Sequence, residues 1–553
     1  MPTIEFNKYD FFELIDQEMD EEEMEEKLTE IGVELEYVKD DRVAVETTSD
    51  RIDLLSVEGI ARNMRSYYGD ERGLKKYALK DEGFRLVDEG VKARPEIVAA
   101  VVKGVNLNTA AFKSLIQLQE KLHGTFGRHR EKVSIGVHDM DGIMFPLRYL
   151  GADPEDTSFI PLGKEGEMTL EEILEKHDKG KEYGHIVSES DRWPLILDSE
   201  DNVLSFPPVI NGVLTEVSED TENVFIDVTG TSREEISYAL NVLVTALAER
   251  GGDIHEVEIE RVDGAKEKYP DLSPKEFELD MDYIRSTVGI DMEEEDLKEY
   301  LEKMGHGTTK EEGKITALIP PYRSEMLHQI DVVEDVAMGY GYSNITPEIP
   351  NISTIGEEDD LEEFNHLARE LMVGFGYQEI MNPTLRNHEI LLDRMKREDE
   401  ENLIEIKDPV SEKYTSGRDS LLPQLLETLS LNTHNSYPQR IFESADTIIR
   451  DEDSPYKAVT RKKISAVTAD IESDMSNIVS EVKGLLRALG VELEVREAER
   501  PFMIEGRSGE LVTDDGEVLG YVGEIHPEVL ENFDIEVPVA GFELDLTRLN
   551  FLS

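Results

Sequence analysis

The sequence contains no cysteine, and this absence excludes several classes of chemistry at once. Disulfide bridges, thiolate metal sites and cysteine nucleophiles all need a thiol. Long apolar runs are also missing: no stretch approaches the roughly 18 residues that a membrane-spanning helix needs, and the amino terminus lacks the basic flank and apolar segment of a secretory signal. We therefore expect a soluble protein that acts in the cytoplasm, away from any membrane.

Basic residues are scarce relative to acidic ones. The chain has 58 Lys and Arg against 123 Asp and Glu, so its formal net charge is -65, spread along the sequence rather than confined to a tail. Either the protein has a generally acidic mesophilic surface, or it comes from a halophile, in which molar salt screens the self-repulsion over roughly 3 Å. We favour the halophilic interpretation. Because phosphate contacts need Lys and Arg, any role in nucleic-acid binding must be local or shared with a partner.

The rest of the composition is that of a large folded protein. Hydrophobic residues make up 39% of the 553 positions, and a chain of this length is expected to form several domains. The pattern of strands and helices predicts a multidomain α/β and α+β architecture. We expect residues 1–85 to form a small α/β domain, 86–265 a mixed α/β domain, 268–346 a compact module, and 355–553 a final domain that alternates strands and helices.

The second domain carries the clearest periodicity. Apolar runs predict strands at residues 97–105 and 224–228, and helical patterns predict helices at 112–122 and 233–250. A further amphipathic helix is predicted in the first domain at 54–67. These elements provide the frame on which polar residues of the second domain are placed.

Two short stretches of that domain bring polar side chains into regular positions. In VLSFPPVINGVLTEV, Asn211 and Gly212 predict a turn that can present an amide side chain at the rim of a pocket. In FIDVTGT, Asp227 and Thr229 lie on the same face of a strand, because side chains alternate with period two. Taken alone, these residues fit a simple hairpin turn and a strand end better than an active site.

A cluster of carboxylates follows in the third domain. If a helix begins near Ser324, its apolar residues form one stripe: Met326, Ile330, Val333 and Ala337. Its carboxylates share a different face: Asp331, Glu334 and Asp335. Three carboxylates this close repel one another unless they are protonated, separated by water, or bridged by a hard cation such as Mg²⁺. On spacing alone, a solvated acidic surface is the better explanation in so acidic a protein.

Five stretches, read in order, resemble one known family. They are SDRIDLLSVEGIARNMRSYYG (49–69), KLHGTFGRHREKVSIGVHDMD (121–141), FPPVINGVLTEVSEDTENVFIDVTGT (206–231), PPYRSEMLHQIDVVEDVAMGYGYSNI (320–345), and SLLPQLLETLSLNTHNSYPQRIFESAD (420–446) with GYVGEIHPEVLENF (520–533). Together they resemble the β subunit of phenylalanyl-tRNA synthetase of the archaeal and eukaryotic cytosolic type. Each stretch is moderately specific, whereas their collinear order is very specific.

The resemblance implies a fold and a role for each predicted domain. Residues 86–265 are expected to form a tRNA-editing domain, 268–346 a winged-helix-like module, and 355–553 a class II synthetase-like antiparallel sheet domain that docks on the α subunit. This last domain lacks the ATP-clamping pattern G-x-G-x-x-R, so we expect it to have no active site of its own. Arg418 is accordingly expected to be structural.

The expected activity of this chain is the correction of a selection error. A pocket that accepts phenylalanine rejects tyrosine only weakly, so a second site must hydrolyse tyrosine wrongly attached to the tRNA for phenylalanine. By resemblance, four polar residues form that editing site and a fifth residue is a wall: Ser205, Asn211, Asp227 and Thr229, with Leu195 as the wall. An activated ester needs only an oriented water and a few polar groups, so no Ser-His-Asp pattern is required.

The resemblance also implies partners and cofactors. The chain is expected to assemble as two β with two α subunits, to bind the tRNA for phenylalanine, and to support ATP-dependent attachment of phenylalanine at the α-subunit site. Mg²⁺, shared with the α subunit, is expected on four carboxylates: Glu325, Asp331, Glu334 and Asp335. Position 325 departs from the family pattern, which usually has Asp there. Two other functions stay open: a stand-alone tRNA deacylase and a non-catalytic tRNA-binding scaffold.

A rare basic island lies beside the second stretch of the resemblance. Its members are Lys121, Arg128, His129, Arg130 and Lys132. They are suited to contacting tRNA phosphates near the editing pocket. Ion pairing with the surrounding carboxylates explains them equally well.

Overall fold

The computed structural model describes residues 1–311, 313–398 and 402–550. The chain divides into two compact units, Met1–Ile349 and Pro350–Ser553. Both units mix helices with sheets, so the predicted multidomain α/β architecture is confirmed. Among the described residues, no helix is both long and apolar enough to span a bilayer.

The first unit begins with a three-stranded antiparallel sheet of order β1-β3-β2 and its helices. The elements are β1 (Thr3–Asn7), α1 (Lys8–Ile15), α2 (Glu21–Glu30), β2 (Glu34–Lys39), β3 (Arg42–Glu46) and α3 (Val57–Tyr68). Side chains cap the three helices, since Asn7, Asp20 and Ser56 accept hydrogen bonds from backbone N–H groups of the first turn. The predicted helix 54–67 begins at Val57, after a 3₁₀ turn at Ile52–Leu54.

A ten-stranded mixed sheet forms the largest layer of the first unit. Its region contains β4 (Leu79–Asp88), β5 (Glu96–Lys103), α4 (Thr109–Gly124), β6 (Val133–Asp139), β7 (Leu147–Ala152), β8 (Ser158–Phe159), β9 (Met168–Thr169), α5 (Leu170–Lys176), α6 (Asp178–Tyr183), β10 (Trp193–Leu197), β11 (Val203–Phe206), β12 (Ile210–Asn211), β13 (Asn223–Gly230), α7 (Arg233–Glu249), β14 (Asp253–Glu260) and β15 (Lys266–Tyr269). The strand order is β12-β11-β10-β7-β4-β14-β5-β13-β6, with β15 paired to β14, while β8 and β9 pair separately. The predicted strands β5 and β13 and helices α4 and α7 are confirmed.

Burial on both faces explains why the sequences of β5 and β13 are continuous apolar runs. β5 and β13 are neighbours in the sheet, each has a strand on both sides, and α7 packs on both. Almost every side chain of the two strands is buried, on both faces of the sheet. Arg250, which follows α7, donates hydrogen bonds to Asp10 and Glu58 and so ties this layer to the amino-terminal helices.

The first unit ends with a smaller α+β module. It contains β16 (Lys275–Leu279), α8 (Met281–Val288), α9 (Glu294–Lys303), β17 (Gly307–Glu311), β18 (Lys314–Ile319) and α10 (Gln329–Tyr340), with a three-stranded antiparallel sheet of order β16-β18-β17. Its core contains Ile284, Leu297, Leu301, Val332 and Val336.

The predicted start of the last helix, near Ser324, is wrong. α10 begins five residues later, because the carboxylate of Asp331 accepts hydrogen bonds from the N–H groups of Leu327 and His328 and so caps the helix. The predicted stripe is wrong in part as well. Met326 is buried but precedes the helix, and the side chain of Ile330 is 44% exposed.

The second unit is built on a seven-stranded sheet that is antiparallel except for the short edge strand β19. Its elements are α11 (Asp360–Gly374), β19 (Gln378–Glu379), β20 (Leu385–Arg386), β21 (Ile404–Glu405), β22 (Ser416–Gly417), α12 (Leu422–Leu431), β23 (Gln439–Arg450), β24 (Ala458–Ala469), α13 (Met475–Ala488), β25 (Glu494–Glu497), β26 (Met503–Val512), β27 (Val518–Ile525), α14 (Pro527–Asn532), β28 (Val539–Asp545) and α15 (Leu546–Leu549). A π-helical turn spans Glu389–Asp393, and β20, β21 and β22 form a separate small sheet. The order of the large sheet is β19-β23-β24-β28-β27-β26-β25.

Arg418 is buried within this unit. Its guanidinium donates to the carboxylate of Glu443 at 2.8 Å, to the side-chain carbonyl of Gln424 at 2.9 Å and to the backbone carbonyl of Asp446 at 3.1 Å. Because these partners belong to the β23 strand and the α12 helix, Arg418 joins two parts of the core. This arrangement is what a structural role requires.

Candidate functional site

A cavity of about 470 Å³ opens beside the β6 end of the large sheet. Its floor and walls come from α4, β6, β13, the β11–β12 hairpin and the loops around residues 162 and 177. Apolar side chains line much of it, among them Phe112, Ile116, Val137 and Val209. Its volume is within the range of small-molecule binding sites.

The β11–β12 hairpin brings Ser205 and Asn211 to this cavity as directly opposed residues. The Ser205 hydroxyl donates to the Asn211 side-chain carbonyl at 3.1 Å, and the Asn211 amide nitrogen donates to the backbone carbonyl of Val137 at 3.2 Å. Asn211 therefore connects the hairpin, at one edge of the sheet, to β6, at the opposite edge. This network fixes the orientation of both side chains at the cavity wall.

The predicted turn at Asn211 and Gly212 is wrong. Asn211 lies in β12, and Gly212 has an extended backbone, with φ −80° and ψ 153°. The hairpin reverses earlier, where the N–H of Val209 donates to the carbonyl of Phe206 at 2.8 Å. Glycine is required at 212 for a different reason: a Cβ atom there would lie 2.9 Å from the backbone oxygen of Val203.

Asp227 lies on β13 at the floor of the cavity, with a side chain that is only 1% exposed. Its Oδ2 atom is 2.8 Å from Nε2 of His138, which lies on the adjacent strand β6. His138 in turn contacts the hydroxyl of Thr215 through Nδ1, at 2.7 Å. The described residues give the other carboxylate oxygen, Oδ1, no hydrogen-bond partner.

Thr229 and Leu195 do not line the cavity. The Thr229 hydroxyl and backbone carbonyl both accept hydrogen bonds from Arg94, at 2.8 Å each. Leu195 is buried in a separate apolar cluster with Trp193 and Phe206. The structure therefore brings together three of the five predicted editing residues, and the other two contribute only through the surrounding framework.

Several residues around the cavity were not found from the sequence. Arg94 is completely buried beside Thr229, and burial lowers its pKa to about 10, although the charge of Asp227 acts in the opposite direction. His138 occupies an ordinary strand position. The only signal for it is that Gly136 and His138 alternate on one strand, on the face that meets Asp227.

Two residues of the basic island, Arg130 and Lys132, stabilise the fold. Arg130 donates to the carbonyls of Pro208 and Val209 and to the carboxylate of Glu120, and so holds the cavity wall. Lys132 forms an ion pair with Glu235. The ion-pairing explanation therefore holds for these two cations. Arg128 and His129 are exposed.

The carboxylates of the third predicted domain lie in different environments. Asp335 is buried and pairs with Arg323 at 2.8 Å and with His306, whereas Glu325 pairs with Arg323 and lies 3.5 Å from Arg51. Burial alone would raise the pKa of Asp335, but Arg323 and His306 hold it well below its usual value. Burial raises the pKa of Glu325, despite its arginine partners.

These four carboxylates do not fit a magnesium site within this chain. Asp331 is occupied as a helix cap, Glu334 is exposed, and Asp335 and Glu325 are already neutralised by arginines. Within 1–311, 313–398 and 402–550, no three His, Asp or Glu side chains are grouped so that they could hold a metal ion. Asp331, Glu334 and Asp335 do follow one another at i, i+3 and i+4 in α10, but the side chain of Asp335 is buried against Arg323 and His306.

Comparison with known proteins gives matches along nearly the whole chain. Four family models match in order: the Phe-tRNA synthetase beta subunit B1 domain at residues 1–70, the B3/4 domain at 93–260, the tRNA synthetase B5 domain at 277–342, and the phenylalanyl tRNA synthetase beta chain CLM domain at 345–546. The cavity residues fall within the B3/4 match, and the buried carboxylates fall within the B5 match.

Similar full-length proteins and a similar solved structure are also known. The phenylalanine–tRNA ligase beta subunit of Methanocaldococcus jannaschii is 42% identical over 551 residues, covering 99% of this chain and 100% of the relative. That of Pyrococcus abyssi is 43% identical over 557 residues, with coverage of 99% and 100%. The crystal structure of an N-terminal fragment of the phenylalanyl-tRNA synthetase beta subunit from Pyrococcus horikoshii is 42% identical and has a TM-score of 0.59, covering 61% of this chain and 99% of the fragment.

Proposed function

The chain belongs to the family of phenylalanine–tRNA ligase beta subunits, and from that premise we propose that its cavity hydrolyses tyrosine wrongly attached to the tRNA for phenylalanine. The observation that carries the proposal is the meeting of Ser205, Asn211 and Asp227 at one apolar cavity. A polar group on the floor of an apolar pocket recognises a ligand that is apolar along its length and polar at its end. A tyrosine side chain has this form.

The depth of Asp227 indicates which part of the substrate it meets. The tRNA must remain outside the cavity, so a floor residue faces the far end of the aminoacyl group, which is the phenol hydroxyl. That hydroxyl donates a hydrogen bond to Oδ1 of Asp227. Phenylalanine has no such donor and would leave a buried carboxylate oxygen unpaired, so the site selects tyrosine and spares correctly charged tRNA.

Asn211 acts nearer the ester. It is half-buried, whereas Ser205 is buried, and its hydrogen bonds to Ser205 and Val137 keep its amide at the cavity wall. A water molecule oriented there adds to the ester carbonyl carbon, the bond to the ribose oxygen breaks, and that oxygen takes up a proton. The products are free tyrosine and uncharged tRNA.

Replacing Asn211 by alanine tests this role. We expect hydrolysis of tyrosyl-tRNA to fall by about 10- to 100-fold, because the amide that orders the hairpin wall against Val137 is lost. The measurement is release of labelled tyrosine from mischarged tRNA by the chain co-expressed with its α subunit. Asn106→Ala, at an exposed position of the same domain, is the matched control. Equal rates for the two variants would contradict the proposal.

In the assembled enzyme, the chain is proposed to pair with the α subunit, as two α and two β, in the cytoplasm. The α subunit attaches phenylalanine with ATP, and the second unit of this chain, a class II synthetase-like domain, supplies the docking surface. Binding of Mg²⁺ by the carboxylates at 325, 331, 334 and 335 stays a prediction. The α subunit would have to supply the further oxygen ligands that such a site needs. Hydrolysis by the purified chain alone would instead favour a stand-alone deacylase.

The net charge of -65 further supports a proposal that the protein works in concentrated salt. Raising NaCl from about 0.1 M to about 1 M shortens the screening length from about 10 Å to about 3 Å, so repulsion between surface carboxylates falls. We expect the melting temperature to rise by several degrees over this range, measured by circular dichroism. An unchanged or lower melting temperature would contradict halophilic adaptation. Sucrose at equal osmolality is the control for nonspecific solute effects.

A further inference from the structure

His138 is buried directly behind the cavity floor, and the proposed hydrolysis does not yet use it. Its side chain has no solvent exposure, and its two ring nitrogens contact Asp227 and Thr215 at 2.8 and 2.7 Å. Thr215 is itself 1% exposed and ends the 3₁₀ turn Val213–Thr215. Three buried polar side chains from separate elements thus form one chain that ends at the cavity.

The chemistry of these groups fixes the direction of their hydrogen bonds. An ionised Asp227 can only accept, so Nε2 of His138 must carry a proton and donate to it. In the neutral ring, Nδ1 is then an acceptor, and the Thr215 hydroxyl is the group placed to donate to it. Thr215 therefore selects the ring tautomer that Asp227 needs.

Gly136 provides the space for this arrangement. It lies opposite Asp227 in the register between β6 and β13. A Cβ atom at position 136 would lie 2.0 Å from Oδ2 of Asp227 and 2.7 Å from Nε2 of His138. Any side chain at this position would break the contact, so the close approach of carboxylate and imidazole depends on glycine.

The surroundings leave His138 few other partners. Among the described residues, Asp227 is the titratable group in hydrogen-bonding contact with the ring, and the ring of Phe225 lies 5.8 Å away, centroid to centroid. On the far side of Asp227, the buried guanidinium of Arg94 bonds to Thr229 two residues along the same strand. Asp227 therefore accepts a hydrogen bond from His138 on one side, and the cationic guanidinium of Arg94 lies on the other.

From this geometry we infer that His138 and Thr215 are positioning residues that set the tyrosine specificity of the cavity. His138, oriented by Thr215, engages Oδ2 of Asp227 and thereby directs Oδ1 toward the bound side chain as an acceptor for its phenol hydroxyl. The inference rests on the proposed hydrolysis and extends it, because it names the residues that determine how the selecting carboxylate is aimed.

Thr215→Val is the sharpest test, because it removes the hydroxyl and keeps the shape. The neutral ring then loses the donor that selects its tautomer, so at pH about 8 we expect hydrolysis of tyrosyl-tRNA to fall about tenfold. Thr215→Ser keeps the hydroxyl and should retain nearly full activity. Thr231→Val, at an exposed position, is the matched control.

Two substitutions of His138 test whether its hydrogen bond to Asp227 is needed for tyrosine specificity. His138→Gln retains an amide donor near the position of Nε2 and should stay within about threefold of the parent chain. His138→Phe keeps a ring but donates nothing, and should lose tyrosine selectivity. If Thr215→Val and His138→Phe both hydrolyse tyrosyl-tRNA normally at pH about 8 while Asp227→Ala does not, the positioning role is overturned and the proposed function stands.

A spectroscopic measurement decides the geometry without any activity. The chain has 12 histidines, and ¹⁵N-labelling with His138→Gln as the reference assigns the ring signals of residue 138. We expect its neutral ring to carry the proton on Nε2, and Thr215→Val to shift the signals toward the other tautomer. A proton on Nδ1 in the unaltered chain would overturn the inference. If the unaltered chain fails to hydrolyse tyrosyl-tRNA, the proposed function falls, whereas this measurement still decides whether Thr215 sets the tautomer of His138.

Discussion

Replacing Asp227 by alanine should reduce the hydrolysis of tyrosyl-tRNA by about 100-fold, the largest effect expected at the cavity. The substitution removes the acceptor for the phenol hydroxyl, and hydrogen bonds to charged groups are worth about 1.5–3 kcal/mol. It also removes the carboxylate that is proposed to select tyrosine over phenylalanine. The measurement is the initial rate of tyrosine release from mischarged tRNA, together with the accumulation of tyrosyl-tRNA during aminoacylation.

Two controls separate chemistry from folding in that experiment. Asp227→Asn keeps the size of the side chain and should give an intermediate rate, since an amide oxygen is a weaker acceptor than a carboxylate. Attachment of phenylalanine by the assembled enzyme should change by less than about twofold in both variants, because the cavity is not proposed to take part in that step. Full tyrosine hydrolysis by a folded Asp227→Ala enzyme would refute the assigned cavity.

Replacing Arg323 by methionine should destabilise the first unit by about 3–5 kcal/mol, the largest stability effect expected in the molecule. Arg323 is 2% exposed and pairs with Asp335 and Glu325, both largely removed from solvent. The substitution would leave Asp335 with only His306, and Glu325 with only the more distant Arg51. Two buried carboxylates with too little positive charge cost more than the lost packing of one side chain.

The effect is measured as the guanidinium midpoint of the transition in which the first unit unfolds. The two units need not unfold in one step, so their transitions are analysed separately. Arg72→Met is the matched control, because Arg72 pairs with an exposed Glu299 at 3.1 Å and should change stability by less than about 1 kcal/mol. Similar midpoints for the two variants would show that the buried ion pairs contribute little.

Local patterns predicted the elements that carry the cavity. β5 and β13 are predictable because nearly all of their side chains are buried, and α4 and α7 because their buried side chains recur at helical spacing. The common face of Asp227 and Thr229 also follows from period two. What the pattern could not show is that the cavity covers only one of these residues, since Arg94, more than 100 positions away, fills the space beside the other.

The errors share one cause, which is that long-range contacts replaced local preferences. Asn211 and Gly212 form a common turn pair, yet pairing of β12 with β11 extends the strand through Asn211. Asp335 was expected on a polar helix face, but His306 and Arg323 draw it into the core. A sequence gives the spacing along each element, whereas these partners become neighbours only after the chain has folded.

The buried ion pairs of Arg51, Asp53, Arg323 and Glu325 also limit how this family can recombine its parts. Arg51 and Asp53 belong to the amino-terminal domain, and Glu325 and Arg323 to the B5 match, so each part supplies counter-charges for the other. In a chimera, one of these two segments would be replaced by that of a relative. Its buried charges would then lack their partners in the other segment unless both segments were exchanged together. Functional exchange of the 277–342 segment should therefore require compensating residues around position 51.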